Sequence, residues 1–505
     1  MKAQEVIVKK DLRDVLETFQ RAVPQREAYE FELTPLDRLG IPLWGAFVWA
    51  EDGDFSDGFG YGADTLAARV SAWGEVLENY YSTKTLEQLP RRRASFNRLK
   101  TENAVDPVAL CLNAGVEYSP DKEIVWTRGR KFNSEAPVWL PIEAVAITWS
   151  DIKRDVAPAD FLFDPITNGL GAGASLAQAL AHGILEQIQR DGDSVTFRAM
   201  DEGVKIELDT VKTDETRALL EFLDRSGIEV IPKLANVVCG IPVVYIVGYD
   251  RDLAQSPFHL SLSACGEAAH PDREIALSKA LREFVSSRAR KRFMHGSIED
   301  MKRVAPAKYS ERVLSDELGA DESRALQSVL AWSNMSREEF FSTIKNPIFT
   351  VHSTVKFSDL PTVEPSEIDS AEKLLNLLAA RLKSENLEIY YADFTPPEAD
   401  FSVVKAIVAG LEVETMSYNR IGRRNFERLF ERGKRDPQFA GLVGIGEAPE
   451  NALPIHLREA DKQVIGGAAW LDPAAIERAV GELYALYREP NGHTIGKIKA
   501  QRNKK

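Results

Sequence analysis

Between residues 64 and 81 the apolar side chains Leu66, Val70, Trp73, Leu77 and Tyr80 fall three and four positions apart. That period predicts a helix with one buried stripe and a carboxylate-bearing opposite face. A Gly-rich run, Asn168-Gly-Leu-Gly-Ala-Gly-Ala174, leads into a second predicted helix. Ser175 and Gln178 have the S-x-x-Q form of a capping box at its start, and Asp191-Gly192-Asp193 is expected to break it after Arg190. A third amphipathic helix is predicted over residues 272–293, with Ile275, Ala276, Ala280, Phe284 and Val285 on its apolar side. Residues 138–149, 237–247, 387–391 and 403–408 are rich in Val, Ile and aromatics and read as strands. A short amphipathic helix around residues 12–19 is followed by what reads as a polar loop, and residues 297–397 read as a helix-rich crossover. The basic run after Gly496 is expected to fray, and no internal repeat is visible. Strands alternating with helices predict a mixed α/β (α+β) fold.

The chain has 505 residues, 44 % of them hydrophobic and 28 % charged, which is ordinary globular usage. Its formal net charge of −14 disfavours a general electrostatic hold on nucleic acid or acidic lipid. Cys111, Cys239 and Cys265 are far apart and odd in number, so neither a disulfide framework nor a CxxC metal pair is built from them. The start lacks an apolar signal core, and the longest apolar run, residues 237–247, contains Pro242 and is too short to span a bilayer. A cytoplasmic protein without a membrane segment is expected.

Glu75 and Glu78 lie three apart on the first predicted helix, a like-charge spacing that costs an isolated helix about 0.2–0.5 kcal/mol. The pair reads either as a solvated acidic face or as hard oxygen ligands for magnesium. Glu186, Gln189 and Arg190 share one face of the second helix, and Glu186 with Arg190 is also an ordinary i, i+4 pair. Glu283 and Arg288 on the third helix invite the same two readings, with Arg290, Lys291 and Arg292 adding basic charge. The glycine run suggests a dinucleotide loop, with Asp193 some 20 residues on, but its spacing is G-x-G-x-G and Phe161-Leu-Phe-Asp-Pro165 is a poor preceding strand. His182 precedes Glu186 without an HExxH pattern, and no G-x-S-x-G elbow occurs, so no catalytic nucleophile is assigned.

Six collinear segments together resemble the YcaO family. They are Leu36-Asp-Arg-Leu-Gly-Ile-Pro42, Arg69-Val-Ser-Ala-Trp-Gly-Glu75-Val-Leu-Glu78, Thr167-Asn-Gly-Leu-Gly-Ala-Gly173, Leu180-Ala-His-Gly-Ile-Leu-Glu186-Gln-Ile-Gln-Arg190, Ala280-Leu-Arg-Glu283-Phe-Val-Ser-Ser-Arg288, and Ile407-Val-Ala-Gly-Leu-Glu412 with Arg420-Ile-Gly-Arg423. The resemblance implies a lead-in over residues 1–57, a YcaO domain over 58–430 and a C-terminal segment over 431–505. It also implies ATP held through Mg2+ ions. By this resemblance Glu75, Glu186 and Glu283 hold one magnesium, Glu78 faces a second, and Ser71, Arg190 and Arg288 contact the nucleotide. The implied chemistry is activation of a peptide backbone amide, giving an azoline from Cys, Ser or Thr or a thioamide from external sulfide, in ribosomal peptide natural-product biosynthesis. The implied partners are a precursor peptide and a separate leader-peptide-binding protein; oligomeric state is left open, a homodimer included.

The chain also departs from the family pattern. Tyr61 stands in place of the lysine of Gly-Lys-Gly, Ala174 in place of an asparagine, Gln178 and Gln189 in place of glutamates, and Ser286 in place of a glutamine. The proline-rich tail common in azoline-forming members is replaced by Asn503-Lys504-Lys505. These changes motivate an alternative, a degenerate YcaO protein serving as a non-catalytic binding or scaffold subunit.

Overall fold

The computed structural model describes residues 11–196, 198–319, 321–413 and 419–502. The chain forms two compact units, each discontinuous in sequence: residues 1–77, 196–365 and 482–505 in the first, 78–195 and 366–481 in the second. The domain expected over 58–430 and the segment expected over 431–505 therefore each contribute to both units. The fold is mixed α/β, as the alternation of strand and helix patterns implied. Among the described residues no helix is long and apolar enough to cross a membrane.

In the first unit, Gln25–Glu32, Leu43–Ala50 and Phe55–Tyr61 make an antiparallel three-stranded sheet in sequence order. The polar loop expected after residue 19 is thus partly a strand, because Tyr29 and Phe31 alternate toward an aromatic core that polar neighbours obscure in the sequence. Phe31 and Phe47 stack with centroids 5.2 Å apart, and Phe47 lies 4.7 Å from Tyr309. A five-stranded sheet follows the order Cys265–Ala269, Ile241–Asp250, Ile228–Val238, Val204–Glu207, Ser353–Lys356. The apolar run 237–247 is not one strand: it is cut by a hairpin at Cys239 and Gly240, whose φ values of 51° and 70° fit a two-residue turn of the I′ kind. Helices Asp214–Arg225 and Arg273–His295 bury Leu219, Leu223, Ala276, Leu277 and Phe284 in the core built on this sheet. The basic tail does not fray within the described residues. It forms the helix Thr494–Arg502, with Ile495 buried and Lys499 Nζ donating to Ser333 O at 2.5 Å.

In the second unit a sheet runs Arg92–Ser95, Glu123–Lys131, Glu388–Asp393, Ser402–Ala409, Leu170–Gly173, and Pro137–Pro141 pairs with Glu123–Lys131. The segment expected as a strand over 138–149 is a strand only to Pro141, after which come the short helices Ile142–Val145 and Trp149–Ile152. The second predicted helix, Leu176–Asp193, runs past Arg190 because the Asp191 carboxylate is used inside. Fully buried, it accepts from Arg424 Nη2 at 2.9 Å, from Arg428 Nη2 at 2.8 Å and from Glu412 N at 2.9 Å. Burial opposes its charge, but Arg428 and Arg424 outweigh burial and hold its carboxyl below the ordinary range.

The expectation that Arg288 contacts phosphate is corrected by its surroundings in the first unit. Its side chain is fully buried, with Nε donating to Asp37 Oδ2 at 2.6 Å and Nη1 to Asp250 Oδ2 at 2.9 Å. Arg38 Nη2 adds a second bond to Asp250 at 2.7 Å. Three buried charges that satisfy one another leave no donor face for a solvent-borne anion. The first segment of the resemblance, which supplies Asp37 and Arg38, is the other half of this network. Replacing Arg288 with Met is therefore expected to cost about 3–5 kcal/mol of unfolding free energy, because two buried carboxylates lose their partner. Urea denaturation checks this; a variant as stable as the parent contradicts the assignment.

Glu143, in the helix Ile142–Val145, lines a small cavity of the second unit with Lys405, Asn168 and Gln187. Its Oε2 makes no hydrogen bond, and burial pushes its carboxyl up to about 7. A folded-state value above the unfolded one, about 4.3, means the folded chain holds this proton more tightly. The group's contribution then turns unfavourable as pH rises from about 4.3 to about 7 and stays so above. Glu143→Gln is expected to stabilise the protein more at pH 8 than at pH 5, measured by denaturant unfolding at both.

Candidate functional site

Three segments fold as one repeated unit, a correction to the reading that the chain has no internal repeat. Each is a glycine-bearing strand, a capped turn, and a helix whose backbone lies directly on the strand backbone. In the first, strand Phe55–Tyr61 meets helix Thr65–Gln88: a Cβ on Gly58 would stand 2.1 Å from Ala72 O, and one on Gly60 would stand 1.9 Å from Ala68 O. In the second, strand Leu170–Gly173 meets Leu176–Asp193, with Gly171 at 2.1 Å from Ala179 O by the same measure. In the third, strand Cys265–Ala269 meets Arg273–His295, with Gly266 at 2.0 Å from Ala280 O. Only glycine permits this approach. The turns are closed alike: Asp64 accepts from Ala67 N at 2.9 Å, Ser175 from Gln178 N at 3.2 Å and Asp272 from Glu274 N at 2.8 Å.

The close approach places a glutamate at the same point of each helix. Glu75 Oε2 accepts Phe59 N–H at 2.7 Å, Glu186 Oε2 accepts Gly169 N–H at 2.9 Å, and Glu283 Oε2 accepts Glu267 N–H at 2.9 Å. The glutamate follows its donor by 16, 17 and 16 residues respectively. A charge-assisted bond to a strand backbone fixes the side-chain rotamer and stabilises the anion. Glu78, one turn beyond Glu75, is held in the same manner, its Oε1 accepting Ala172 N–H at 2.7 Å. The repulsion expected between Glu75 and Glu78 is thus offset by one backbone donor each.

Glu75, Glu283 and Ser71 belong to the first unit; Glu78, Glu186 and Arg190 belong to the second. Among the described residues no group of three or more His, Cys, Asp and Glu side chains is placed as a ready metal cage. Ser71 is half-buried on the Thr65–Gln88 helix. Arg190 stands 3.6 Å from Glu186, the i, i+4 pair its spacing allowed. Gln178 makes only half of a capping box: its backbone N–H goes to Ser175 Oγ, while its Oε1 accepts from Ala174 N at 2.9 Å. At the position of Glu78 the second and third repeats carry Gln189 and Ser286. Ser286 Oγ donates to Glu283 O at 2.9 Å, within its own helix.

Two groups near these carboxylates were not foreseen. Gln187 Nε2 donates to Asn168 O at 3.1 Å, holding the segment that supplies Gly169 N–H. Glu267, whose own N–H serves Glu283, is buried with Arg198 Nη2 at 3.9 Å and Cys265 Sγ at 3.3 Å. No local spacing signals either one, since Gln187 aligns with Val76 and Phe284 and Glu267 with Phe59 and Leu170 on the repeat register. The last segment of the resemblance is structural: buried Glu412 accepts from Gly422 N at 2.7 Å, and Arg420 donates to Leu110 O and Cys111 O. Burial first and Asp191 second push the Glu412 carboxyl up to about 7.

Comparison with known proteins agrees with this architecture. A protein of Methanothermobacter thermautotrophicus is 30% identical over 397 residues, covering 78% of this chain and 91% of its own. Two solved structures share the fold. A heterocyclase in complex with substrate and cofactor superposes with a TM-score of 0.59 at 16% identity, covering 82% of this chain and 54% of that one. YcaO from Methanopyrus kandleri, bound with AMPPCP and Mg2+, superposes with a TM-score of 0.53 at 20% identity, covering 80% and 92%. The family described as YcaO cyclodehydratase, ATP- and Mg2+-binding, matches residues 59–412, and the chain belongs to the YcaO family.

Proposed function

We propose that this protein is an enzyme that uses ATP and Mg2+ to modify backbone amides of a peptide. In this reading Glu75, Glu78, Glu186 and Glu283 are the magnesium ligands, and Ser71 and Arg190 serve the nucleotide. The observation that carries it is the backbone N–H held by each of the four glutamates. Oriented carboxylates are the hard oxygen donors that magnesium takes, usually together with phosphate oxygens. When bound, MgATP supplies the phosphoryl group that makes an amide oxygen a competent leaving group. The chain's own part is to orient: the strand N–H groups fix four anionic side chains before any ligand arrives, so little reorganisation is left for binding. Attack by a Cys, Ser or Thr side chain of the substrate would yield an azoline with loss of water; external sulfide would yield a thioamide. The substrate is a precursor peptide, presented by a separate leader-binding protein.

A second reading, a non-catalytic subunit, is favoured by one observation: the second and third repeats lack a carboxylate where the first has Glu78, and the Ser286 hydroxyl is turned to its own helix. Mass spectrometry of peptides coexpressed with the chain separates the readings. Loss of water or an oxygen-to-sulfur exchange supports the enzyme; unchanged mass with a verified precursor and leader-binding protein present supports the subunit. Glu75→Gln and Glu186→Gln keep an acceptor for the strand N–H but lose the charge. Each is expected to weaken Mg2+-dependent nucleotide binding by at least about 10–100-fold while leaving apo-protein unfolding nearly unchanged, measured by calorimetry and thermal denaturation.

A further inference from the structure

Gly60 and Gly171 stand alike against Ala68 O and Ala179 O, and Gly58 and Gly266 alike against Ala72 O and Ala280 O. That register aligns Glu75 with Glu186 and Glu283, and Gly58 with Gly169 and Gly266. The second repeat nevertheless holds its glutamate differently. Glu75 and Glu283 take the N–H of the residue after the aligned glycine, Phe59 and Glu267, whereas Glu186 takes the N–H of Gly169 itself. The N–H that register would offer, on Leu170, donates to Thr167 O at 3.0 Å. Of the three aligned glycines only Gly169 has a left-handed φ, 93°. A Cβ on Gly169 would meet Ala406 O of the strand Ser402–Ala409 at 2.2 Å, where Gly58 and Gly266 meet the carbonyls of their own helices. The helix instead carries Gly183 at the position of Ala72 and Ala280, and a Cβ there would stand 2.3 Å from Gly169 O. The Asn168–Gly169 peptide is thus turned over relative to its counterparts.

Two consecutive helix residues grip the two ends of this one peptide group. Its N–H goes to Glu186 Oε2 at 2.9 Å, and its carbonyl, Asn168 O, accepts from Gln187 Nε2 at 3.1 Å. The flanking bonds complete the cradle: Ala406 N donates to Gly169 O at 2.7 Å, Asn168 Nδ2 to Val413 O at 2.7 Å and Lys405 Nζ to Ile166 O at 2.6 Å. All these residues belong to the second unit. Gln187 is only 4 % exposed and occupies the position at which the other repeats bury Val76 and Phe284. An amide replaces an apolar core residue only in the repeat whose peptide is turned over, and a buried amide is kept where it has a partner.

We propose that Gln187 is a positioning residue for Glu186: by donating to Asn168 O it keeps the Asn168–Gly169 peptide turned over, so that the Gly169 N–H fixes the Glu186 carboxylate. The inference rests on the reading of Glu186 as a magnesium ligand. Without the Gln187 donor the peptide is free to return to the orientation of Gly58 and Gly266, which takes the N–H away from Glu186. A donor on the carbonyl also polarises the N–H of the same peptide and strengthens its bond to the carboxylate. Glu75 and Glu283 need no such residue, because a regular strand already aims their N–H groups.

The test uses the full chain and two replacements: Gln187→Met, of similar shape without the donor, and Gln187→Leu, which restores the apolar character of the other repeats. In the apo protein, hydrogen exchange is expected to quicken at the amides of residues 168–170 and to stay unchanged at residues 58–60. In calorimetric binding of a non-hydrolysable ATP analogue, the half-saturating Mg2+ concentration is expected to rise about ten-fold, as when a group holding a metal ligand is lost. In a Glu186→Gln background the same replacement is expected to leave the Mg2+ dependence where it was, because Gln187 acts through Glu186. A Gly169 amide that stays protected, or an equal Mg2+ shift in both backgrounds, assigns Gln187 to packing alone and overturns the proposal. If the parent does not bind the analogue, or Glu186→Gln binds it with unchanged Mg2+ dependence, the magnesium reading falls and takes the proposal with it.

Discussion

Glycine in a strand lets a helix lie backbone on backbone, and the rest of the candidate site depends on that contact. Without it the carboxyl groups of Glu75, Glu186 and Glu283 could not reach the strand N–H groups that hold them at 2.7–2.9 Å. Any larger side chain at Gly58, Gly60, Gly171 or Gly266 would meet carbonyl oxygen at about 2 Å, which packing does not tolerate. Geometry at the level of one missing methyl group therefore decides where three charges point.

The ionised side chains fall into two populations with different physical tasks. One consists of closed networks in the interior: Arg288 with Asp37 and Asp250, Asp191 with Arg424 and Arg428, and Lys233 with Asp201. Their charges are matched by opposite charges and carbonyls, which is the condition for burying an ion at tolerable cost. They pin loops: Lys233 also donates to Ile348 O and Thr350 O, and Asp191 anchors the backbone of Glu412. The other population is the four glutamates of the helices packed on the glycine strands, each accepting a neutral backbone N–H, with Glu186 also 3.6 Å from Arg190. A neutral donor orients a carboxylate without discharging it, so its attraction for a cation is kept.

This division explains why some segments of the family resemblance mark structure rather than chemistry. Arg288 stands five residues from Glu283, and the two were read as one motif, yet they serve different ends. Sequence proximity along a helix places both on the same element. Which of them meets a carboxylate from residue 37 is a matter of long-range packing that no local spacing encodes.

The three principal helices were legible in the periodicity of Leu66, Val70, Trp73 and Leu77 and its counterparts, because a buried stripe leaves a 3.6-residue signature in any one sequence. Ser175 and Asp272 likewise cap the helices they precede, since capping is a contact within a few residues. Tertiary structure alone decided the rest. It split residues 237–247 into two strands at Cys239 and Gly240, turned residues 25–32 into a strand through pairing with 43–50, and made the glycine strands a repeat. Those outcomes depend on which distant backbone lies opposite, and a hydrogen bond across 16 residues or an ion pair across 251 leaves no period in the chain.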